Sequence, residues 1–261
     1  MLGSSSVQAG DDLVVPGFNT GFTVQSFLGL SNNEGAAATV RVRLHDATTG
    51  AALATWLSPT LPGGGTYETW AAAMLAAADP PLNAAALPAT LVLSISGFVG
   101  HVQHATWTPE TGTWAHVSTC GMVMMADPLS LPFVVGPGRA GLDGLVRVTN
   151  ATAQTRALRV TFHDSDGNAF VWQSPEIPSY GATTALMSTI ARETSPPIPA
   201  HVVSLMAMTE AAPQGVALSY SEGLQGGTTF DDFSAACMST VAAPVAPGDP
   251  PRTPTPSMPH S

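Results

Sequence analysis

Two histidines occupy similar places in the sequence, and each is followed directly by an aspartate: His45-Asp46 and His163-Asp164. A His-Asp pair can belong to a metal site, or it can orient a histidine that acts as a general base. Zinc takes four ligands, so one histidine and one aspartate cannot hold it alone. Apolar and polar residues alternate before each histidine, which puts both rings on a solvent-facing side at the mouth of a turn. We interpret both pairs as strand-end turns.

The segment Asp164-Ser165-Asp166-Gly167-Asn168 is similar to the first half of a calcium-binding loop. The complete loop needs a bidentate acid at its twelfth position, and Pro175 stands there in this sequence. The matching turn at 46–50 lacks the second acid. Asp at the start of a turn, followed by Gly or Asn, is typical of hairpins, so the sequence favours a hairpin turn.

Three further histidines, His101, His104 and His116, lie near Cys120 in the sequence. Residues three apart on a strand point to opposite faces, so His101 and His104 cannot bind one metal ion there. A hairpin with its turn at 108–113 would set His101 opposite Cys120. A His-Cys pair needs a third member to make an activated nucleophile, and none is evident, so we predict no catalysis here.

The same hairpin would set Trp107 opposite Trp114. Cross-strand aromatic pairs stabilise hairpins by roughly 0.2–1 kcal/mol. Exposed indole rings could also stack on sugar rings. Two interpretations therefore stay open for this pair: packing within the hairpin, or contact with a glycan or a partner protein.

Cys120 and Cys237 are the only cysteines, and each ends one of two similar segments. If those segments pack about a pseudo-twofold axis, the two cysteines could meet and form a disulfide. Such a long closed loop could stabilise the fold by roughly 4–5 kcal/mol in the chain-entropy model. Two buried free thiols and bridges to another chain are the alternatives, and an in-line tandem would keep the cysteines apart.

Three methionines follow the first of these cysteines, at Met122, Met124 and Met125. Thioethers can bind copper, but methionines in a connector more often fill gaps at an interface. The sequence contains no phosphate loop, nucleophile elbow, haem attachment sequence or zinc pair. We therefore predict no catalytic residue, no metal site and no cofactor.

The charge composition narrows the possible partners. Charged residues make up 10% of the sequence, all eight basic residues are arginine, and the net charge is -10. Nucleic-acid binding needs clusters of basic residues, so this composition argues against it. No apolar run reaches the ~18 residues of a membrane helix, so we expect no membrane span.

An internal repeat organises the chain. The run Val40-Arg41-Val42-Arg43-Leu44-His45-Asp46 returns as Leu158-Arg159-Val160-Thr161-Phe162-His163-Asp164, and Trp56-Leu57-Ser58-Pro59 returns as Trp172-Gln173-Ser174-Pro175. Further prolines and the two cysteines return in the same order. We predict a flexible segment 1–11, a first unit 12–120, a connector 121–131, a second unit 132–237 and a Pro-rich disordered tail 238–261.

Period-two alternation and turn residues predict six strands in each unit, and three-and-four spacing predicts one helix. The predicted strands are 22–30, 40–45, 51–57, 89–96, 99–108 and 113–119, then 143–149, 158–163, 168–174, 200–208, 215–221 and 228–234. The predicted helices are 67–78, capped by Thr66, and 182–193. This pattern indicates a mainly β protein of two tandem β-sandwich units, each with one short helical crossover.

The run 38–53, followed by Ser58-Pro59-Thr60-Leu61-Pro62-Gly63-Gly64-Gly65, resembles immunoglobulin-like modules of secreted bacterial proteins. The segment 100–120 is similar to tandem repeats in bacterial proteins of unknown function. The second unit keeps the hairpin but has Pro178-Ser179-Tyr180-Gly181 at the bend. The resemblance implies a surface or secreted scaffold or adhesin, and it brings no catalytic residues.

These observations predict a non-enzymatic extracellular structural or adhesive protein, a surface or filament subunit that assembles with itself or with another surface protein. A virion subunit of a capsid or tail and a carbohydrate-binding module are the alternatives. Residues 1–10 lack the basic start and apolar stretch of a signal peptide, so the sequence leaves the export route open.

Overall fold

Antiparallel β-sheets dominate the structure. The computed structural model describes residues 5–7, 13–21, 23–96, 99–110, 112–117, 120–121, 130–209, 216–224 and 231–236. Within these residues, four sheets and two short α-helices are formed. The expectation of a mainly β protein is therefore confirmed. None of the helices in this part of the chain has the length and apolarity needed to cross a membrane.

From here on, the described part of 5–121 is called the first unit and the described part of 130–236 the second unit. Within those residues, the first unit contains ten strands and one α-helix in two sheets. They are β1 Ser5–Val7, β2 Leu13–Asn19, β3 Gln25–Asn32, β4 Arg41–Asp46, β5 Ala52–Leu57, β6 Thr66–Trp70, α1 Ala71–Ala76, β7 Thr90–Ser96, β8 Gly100–Thr108, β9 Thr113–Val117 and β10 Cys120–Gly121. One sheet has the order β1-β8-β3-β6, with β9 also paired to β8, and the other has the order β10-β2-β7-β4-β5.

The second unit contains eight strands and one α-helix. They are β11 Ser130–Val135, β12 Leu142–Asn150, β13 Arg159–His163, β14 Ala169–Gln173, β15 Ala182–Leu186, α2 Met187–Glu193, β16 Ser204–Thr209, β17 Val216–Leu224 and β18 Asp231–Ala236. The sheets have the orders β11-β16-β13-β14 and β15-β12-β17-β18. These orders match β2-β7-β4-β5 and β6-β3-β8-β9 of the first unit.

Each unit buries one hydrophobic core between its two sheets. In β4 the apolar residues Val42 and Leu44 are buried, whereas Arg41 and Arg43 are exposed, as the alternation predicts. Trp56 and Trp172 fill equivalent places in the two cores. The two core clusters draw residues from both sheets of each unit.

The same side-chain hydrogen bonds fix equivalent loops in the two units. Asn32 and Asn150 are fully buried, and each amide nitrogen donates to three backbone carbonyls between 2.7 and 3.2 Å away. The acceptors are Ala36, Leu61 and Pro62 in the first unit and Gln154, Ile177 and Pro178 in the second. Ser58 and Ser174 likewise accept from the backbone N–H of Val40 and Leu158.

The predicted helices 67–78 and 182–193 are largely wrong at their N-terminal ends. Thr66–Trp70 and Ala182–Leu186 are strands that pair with β3 and β12, and the helices start only afterwards. Thr and Tyr favour strands, and the sheet partner supplies backbone hydrogen bonds that an isolated segment lacks. Neither helix has a side-chain cap, so Thr66 does not act as one.

The sequence interpretation also missed β2 and β11. Both strands contain a proline, Pro16 and Pro132, and such residues argue against a regular strand. The structure accommodates them in register shifts, between Val15 and Phe18 in β2 and between Leu131 and Val134 in β11. In addition, Ser5–Val7 pairs with β8, although segment 1–11 was expected to be flexible.

Candidate functional site

The two units meet at the turn between β4 and β5. The backbone N–H of Ala182 donates to the carbonyl of Ala47 at 2.6 Å. Around this bond a small apolar cluster joins Val14, Ala47 and Val92 of the first unit to Ala151 and Ala182 of the second. Val14 and Val92 alternate with core residues, so they lie on the outer face of their sheet, and the second unit buries them there.

His45 lies within this contact. Its ring is 5% exposed, stacks on Tyr180 at a centroid distance of 4.6 Å, and has Nε2 3.2 Å from Ser94 Oγ. Burial lowers the pKa of His45, the Arg43 guanidinium acts in the same direction, and a backbone hydrogen bond with Gly50 opposes them. The prediction of a solvent-facing ring is wrong for His45, because the second unit covers it. His163 is half-buried.

Tyr180 reaches His45 from a left-handed backbone conformation with φ of 54°. It is the only residue other than glycine with positive φ within the described chain. At the equivalent bend the first unit has Gly64, with φ of 71°. A side chain in this region costs roughly 1–2 kcal/mol. The ring stack with His45 offsets part of that cost.

Two glycines of the first unit make room for the second. A Cβ on Gly17 would overlap the guanidinium of Arg147, and a Cβ on Gly50 would overlap the carbonyl of Ser179. Both glycines have positive φ, 68° and 73°. At these two positions, the contact places a glycine of the first unit against a larger residue of the second.

These contacts join non-equivalent parts of the two units. The β4–β5 turn of the first unit meets residues 178–182 of the second, whose counterpart in the first unit is the bend at 62–66. The equivalent strands β9 and β18 do approach each other. A pseudo-twofold axis through this contact would pair like with like, and the contact at 45–50 does not have that form.

Only the first of the two cysteines lies within the described residues, so the disulfide between Cys120 and Cys237 stays a prediction. Cys120 lies in β10 and pairs with Val14, whereas His101 pairs with Ser6 and Ser31. The predicted cross-strand pair of His101 and Cys120 is therefore wrong, because the chain leaves the β8 sheet after β9 and joins the opposite sheet. Cys237 lies outside the described residues, and so do Met122, Met124 and Met125.

The predicted register of the β8–β9 hairpin is otherwise correct. Trp107 pairs with Trp114, and Ala105 pairs with His116. Trp107 is half-buried, and Gly112 occupies the turn with φ of 67°. The side chain of Trp114 lies outside the described residues. The two tryptophans therefore form one cross-strand pair of the hairpin.

In the acidic turn after His163, the Asp164 carboxylate forms hydrogen bonds with residues of the same turn. Asp164 Oδ1 accepts from the backbone N–H of Asp166 and Asn168 at 3.0 and 2.9 Å, and Oδ2 accepts from Asn168 Nδ2 at 2.8 Å. The side-chain bond with Asn168 is the main reason that the pKa of Asp164 is lowered. Across the described ranges, no group of three or more His, Cys, Asp or Glu side chains is placed to hold a metal ion.

Sequence reasoning missed a pocket beside α2. Its volume is about 340 Å³, and its lining includes an apolar floor of Leu142, Met187 and Ile198 with exposed Arg139 and Arg192 at the rim. The full lining is Gly136, Pro137, Arg139, Ala140, Leu142, Asp143, Met187, Ser188, Ala191, Arg192, Pro197, Ile198 and Ala200. The lining contains one carboxylate, that of Asp143, and the two guanidinium groups of Arg139 and Arg192.

A buried polar cluster supports this pocket. The Asp143 carboxylate accepts from Ser188 Oγ at 2.7 Å, from Ser188 N at 3.1 Å and from Gly144 N at 2.9 Å. Nearby, the Tyr220 hydroxyl accepts from Val135 N at 2.9 Å and donates to Glu222 Oε2 at 3.2 Å. Burial raises the pKa of Tyr220 strongly, and the Glu222 and Asp143 carboxylates act in the same direction. These bonds hold the start of α2 and the β11 edge in place.

No protein-family model matches the chain, and no curated protein or solved structure shows a significant match.

Proposed function

We propose that this protein is a non-enzymatic structural or adhesive subunit that works at a cell surface or in a filament outside the cell. Its partners are further copies of itself or another surface protein. A virion subunit is a variant of the same structural role, and the genomic neighbourhood distinguishes the two.

The contact between the two units is the observation that carries this proposal. It combines a backbone hydrogen bond, a ring stack and a buried apolar cluster. A contact of this kind fixes one unit against the other, whereas units joined only by a flexible linker move independently. A structural subunit needs such a fixed joint to give an assembly a defined geometry.

Electron microscopy of the concentrated full chain tests the proposal. We expect particles larger than one chain, or attachment to a cell surface or a glycan-coated surface. Matched samples of the same chain after thermal unfolding serve as the control for non-specific association. Strictly monomeric particles that bind neither surface would contradict the proposal.

A carbohydrate-binding role is the second candidate, and the Trp107–Trp114 register favours it. Trp107 and Trp114 form one cross-strand pair, and indole rings have flat apolar faces of the kind that sugar rings stack on. Trp107→Ala and Trp114→Ala should then each lower the affinity for a glycan found on an array. Trp70→Ala is the matched control, because Trp70 is 37% exposed on another strand. A silent array, or unchanged affinity in both hairpin variants, removes this candidate.

A further inference from the structure

The second unit covers part of the outer face of the sheet β10-β2-β7-β4-β5 in the first unit. The equivalent face of the second unit is the outer face of the sheet β11-β16-β13-β14. Leu93 of β7 pairs with Leu44, and Ala207 of β16 pairs with Phe162, in equivalent positions of the two sheets. Val92, buried at the contact, therefore corresponds to Met206.

The irregularities in β2 and β11 extend this correspondence. Each register shift spans two residues, and in each the first of them is a proline, Pro16 or Pro132. Gly17, against which Arg147 lies, therefore corresponds to Phe133.

This counterpart face carries two large exposed apolar side chains among polar residues such as Arg159 and Thr161. Phe133 is 42% exposed and Met206 is 38% exposed, whereas Val92 of the first unit has no exposed surface. Met206 alternates with the buried Leu205 and Ala207, so it points away from the core, and Phe133 lies in the neighbouring strand β11. Large exposed apolar residues that lie together mark interaction surfaces.

The second unit covers this face with one of its ends, which includes Ala151, Tyr180 and Ala182. The first unit has an equivalent end, which is exposed. Ala151, Tyr180 and Ala182 of the second unit correspond to Asn33, Gly64 and Thr66 of the first. All three of these residues are exposed. The end of the first unit that corresponds to the covering end of the second unit is therefore exposed.

The sizes of the side chains complement each other. Within the chain, Gly17 of the face lies against Arg147, and the ring of Tyr180 stacks on His45. On the free surfaces, Phe133 stands where Gly17 does and Gly29 stands where Arg147 does, so the large and the small residue change sides. At the bend, Gly64 stands where Tyr180 does. Open space surrounds the position of a Cβ on Gly64, so the bend can accept a bulky neighbour.

We propose that the outer face of the sheet β11-β16-β13-β14 binds the free end of the first unit of a second copy of this chain. The joint repeats between copies the contact that already exists within one copy. Such a contact is heterologous, and it produces an open head-to-tail polymer unless the rotation happens to close a ring. This inference rests on the proposed structural function and names the surfaces that the assembly uses.

Sedimentation of the full chain over a wide concentration range tests the inference. The wild type should give a ladder of dimers, trimers and longer species that grows with concentration. A face variant, Phe133→Asp with Met206→Asp, and an end variant, Asn33→Glu with Thr66→Glu, should each remain monomeric. Leu57→Asp is the matched control, because Leu57 is 54% exposed outside both surfaces, and it should polymerise like the wild type.

A mixture of the two blocked variants gives the sharpest result. The face variant keeps a working end and the end variant keeps a working face, so an equal mixture should form dimers and nothing longer. Circular dichroism and melting of each variant show that it is folded. Failure to form dimers from two folded variants, or polymers that neither variant weakens, overturns the inference.

Further outcomes separate this inference from the proposed function. A wild type that assembles through other surfaces, or that stays monomeric but attaches to surfaces, overturns the inference and leaves the proposed function standing. A monomer that attaches to nothing overturns both. A chain shortened to end at 242 that polymerises, when the full chain does not, would show that the tail covers the face and would also overturn the inference.

Discussion

Strands β8 and β17 occupy equivalent places in the two units but bury different polar groups. His104 pairs with Leu28 in the first unit, and Tyr220 pairs with Val146 in the second. His104 Nε2 lies 2.8 Å from Ser26 Oγ, and both residues are fully buried. In the second unit, Gly144 stands where the first has Ser26.

This comparison shows that the residue at position 26 or 144 and the residue at position 104 or 220 differ together between the two units. A Cβ on Gly144 would come within 2.5 Å of Tyr220 Cε2 and 2.9 Å of its hydroxyl, so a larger ring requires a smaller neighbour. The imidazole of His104 is shorter and leaves room for a serine hydroxyl that serves as its hydrogen-bond partner. Equivalent strands therefore hold two different pairs of neighbours, His104 with Ser26 in the first unit and Tyr220 with Gly144 in the second.

The largest expected loss of stability comes from removing the Tyr220 ring, which is buried in the core of the second unit. Tyr220→Ala should lower the free energy of unfolding by about 3–5 kcal/mol, because it leaves a cavity and removes the acceptor of the Val135 N–H. His104→Ala should cost less, about 1–3 kcal/mol, because a smaller ring and one hydrogen bond are lost. Urea unfolding measures both. Equal losses would show that the two positions are filled to the same extent.

Gly144→Ser should have the next largest effect and lower the free energy of unfolding by about 1–3 kcal/mol, because the added atoms overlap the Tyr220 ring. Combining it with Tyr220→His rebuilds the pair of the first unit. We expect the double variant to be less destabilised than the sum of the two single changes, as for residues in contact. Simple additivity in urea unfolding would contradict the idea that the two positions are coupled.

The stability of the two bends should respond differently to a substitution at the residue with positive φ, Gly64 in the first unit and Tyr180 in the second. Gly64→Ala should cost about 1–2 kcal/mol, because a side chain is placed at φ of 71° with no partner for it. Tyr180→Gly should change stability by less than about 1 kcal/mol, since relief of strain offsets the lost stack on His45. Thermal unfolding compares them. A large loss for Tyr180→Gly would show that the ring stack dominates.

The smallest effect concerns pH. The pKa of His45 is lowered in the folded protein, so the fold favours the neutral ring. Its contribution to stability is complete above the ordinary pKa of about 6.5 and is lost as the pH falls from there towards the lowered value. His45→Gln should therefore flatten the fall in melting temperature between pH 7 and pH 5. A pH profile of the variant that matches that of the wild type would contradict this assignment.

Much of the fold follows from local patterns in the sequence. Alternation along 40–45 places Val42 and Leu44 in the core, and Asp46 and Asp164 start the turns that follow. The register of Trp107 and Trp114 follows from the position of the turn alone, because pairing across a short hairpin is fixed by its loop. These features depend on neighbours within a few residues, and the sequence therefore determines them.

Other features depend on residues far along the chain, and only the tertiary structure decides them. Thr66–Trp70 could start a helix, but its neighbour β3 makes it a strand. Cys120 does not face His101, because the chain crosses to the opposite sheet before it. His45 and His163 have the same local pattern, yet only His45 is buried, because Tyr180 and the rest of the second unit cover one sheet face and leave its counterpart open. Burial of an outer sheet face is set by what packs on it, and no local pattern contains that information.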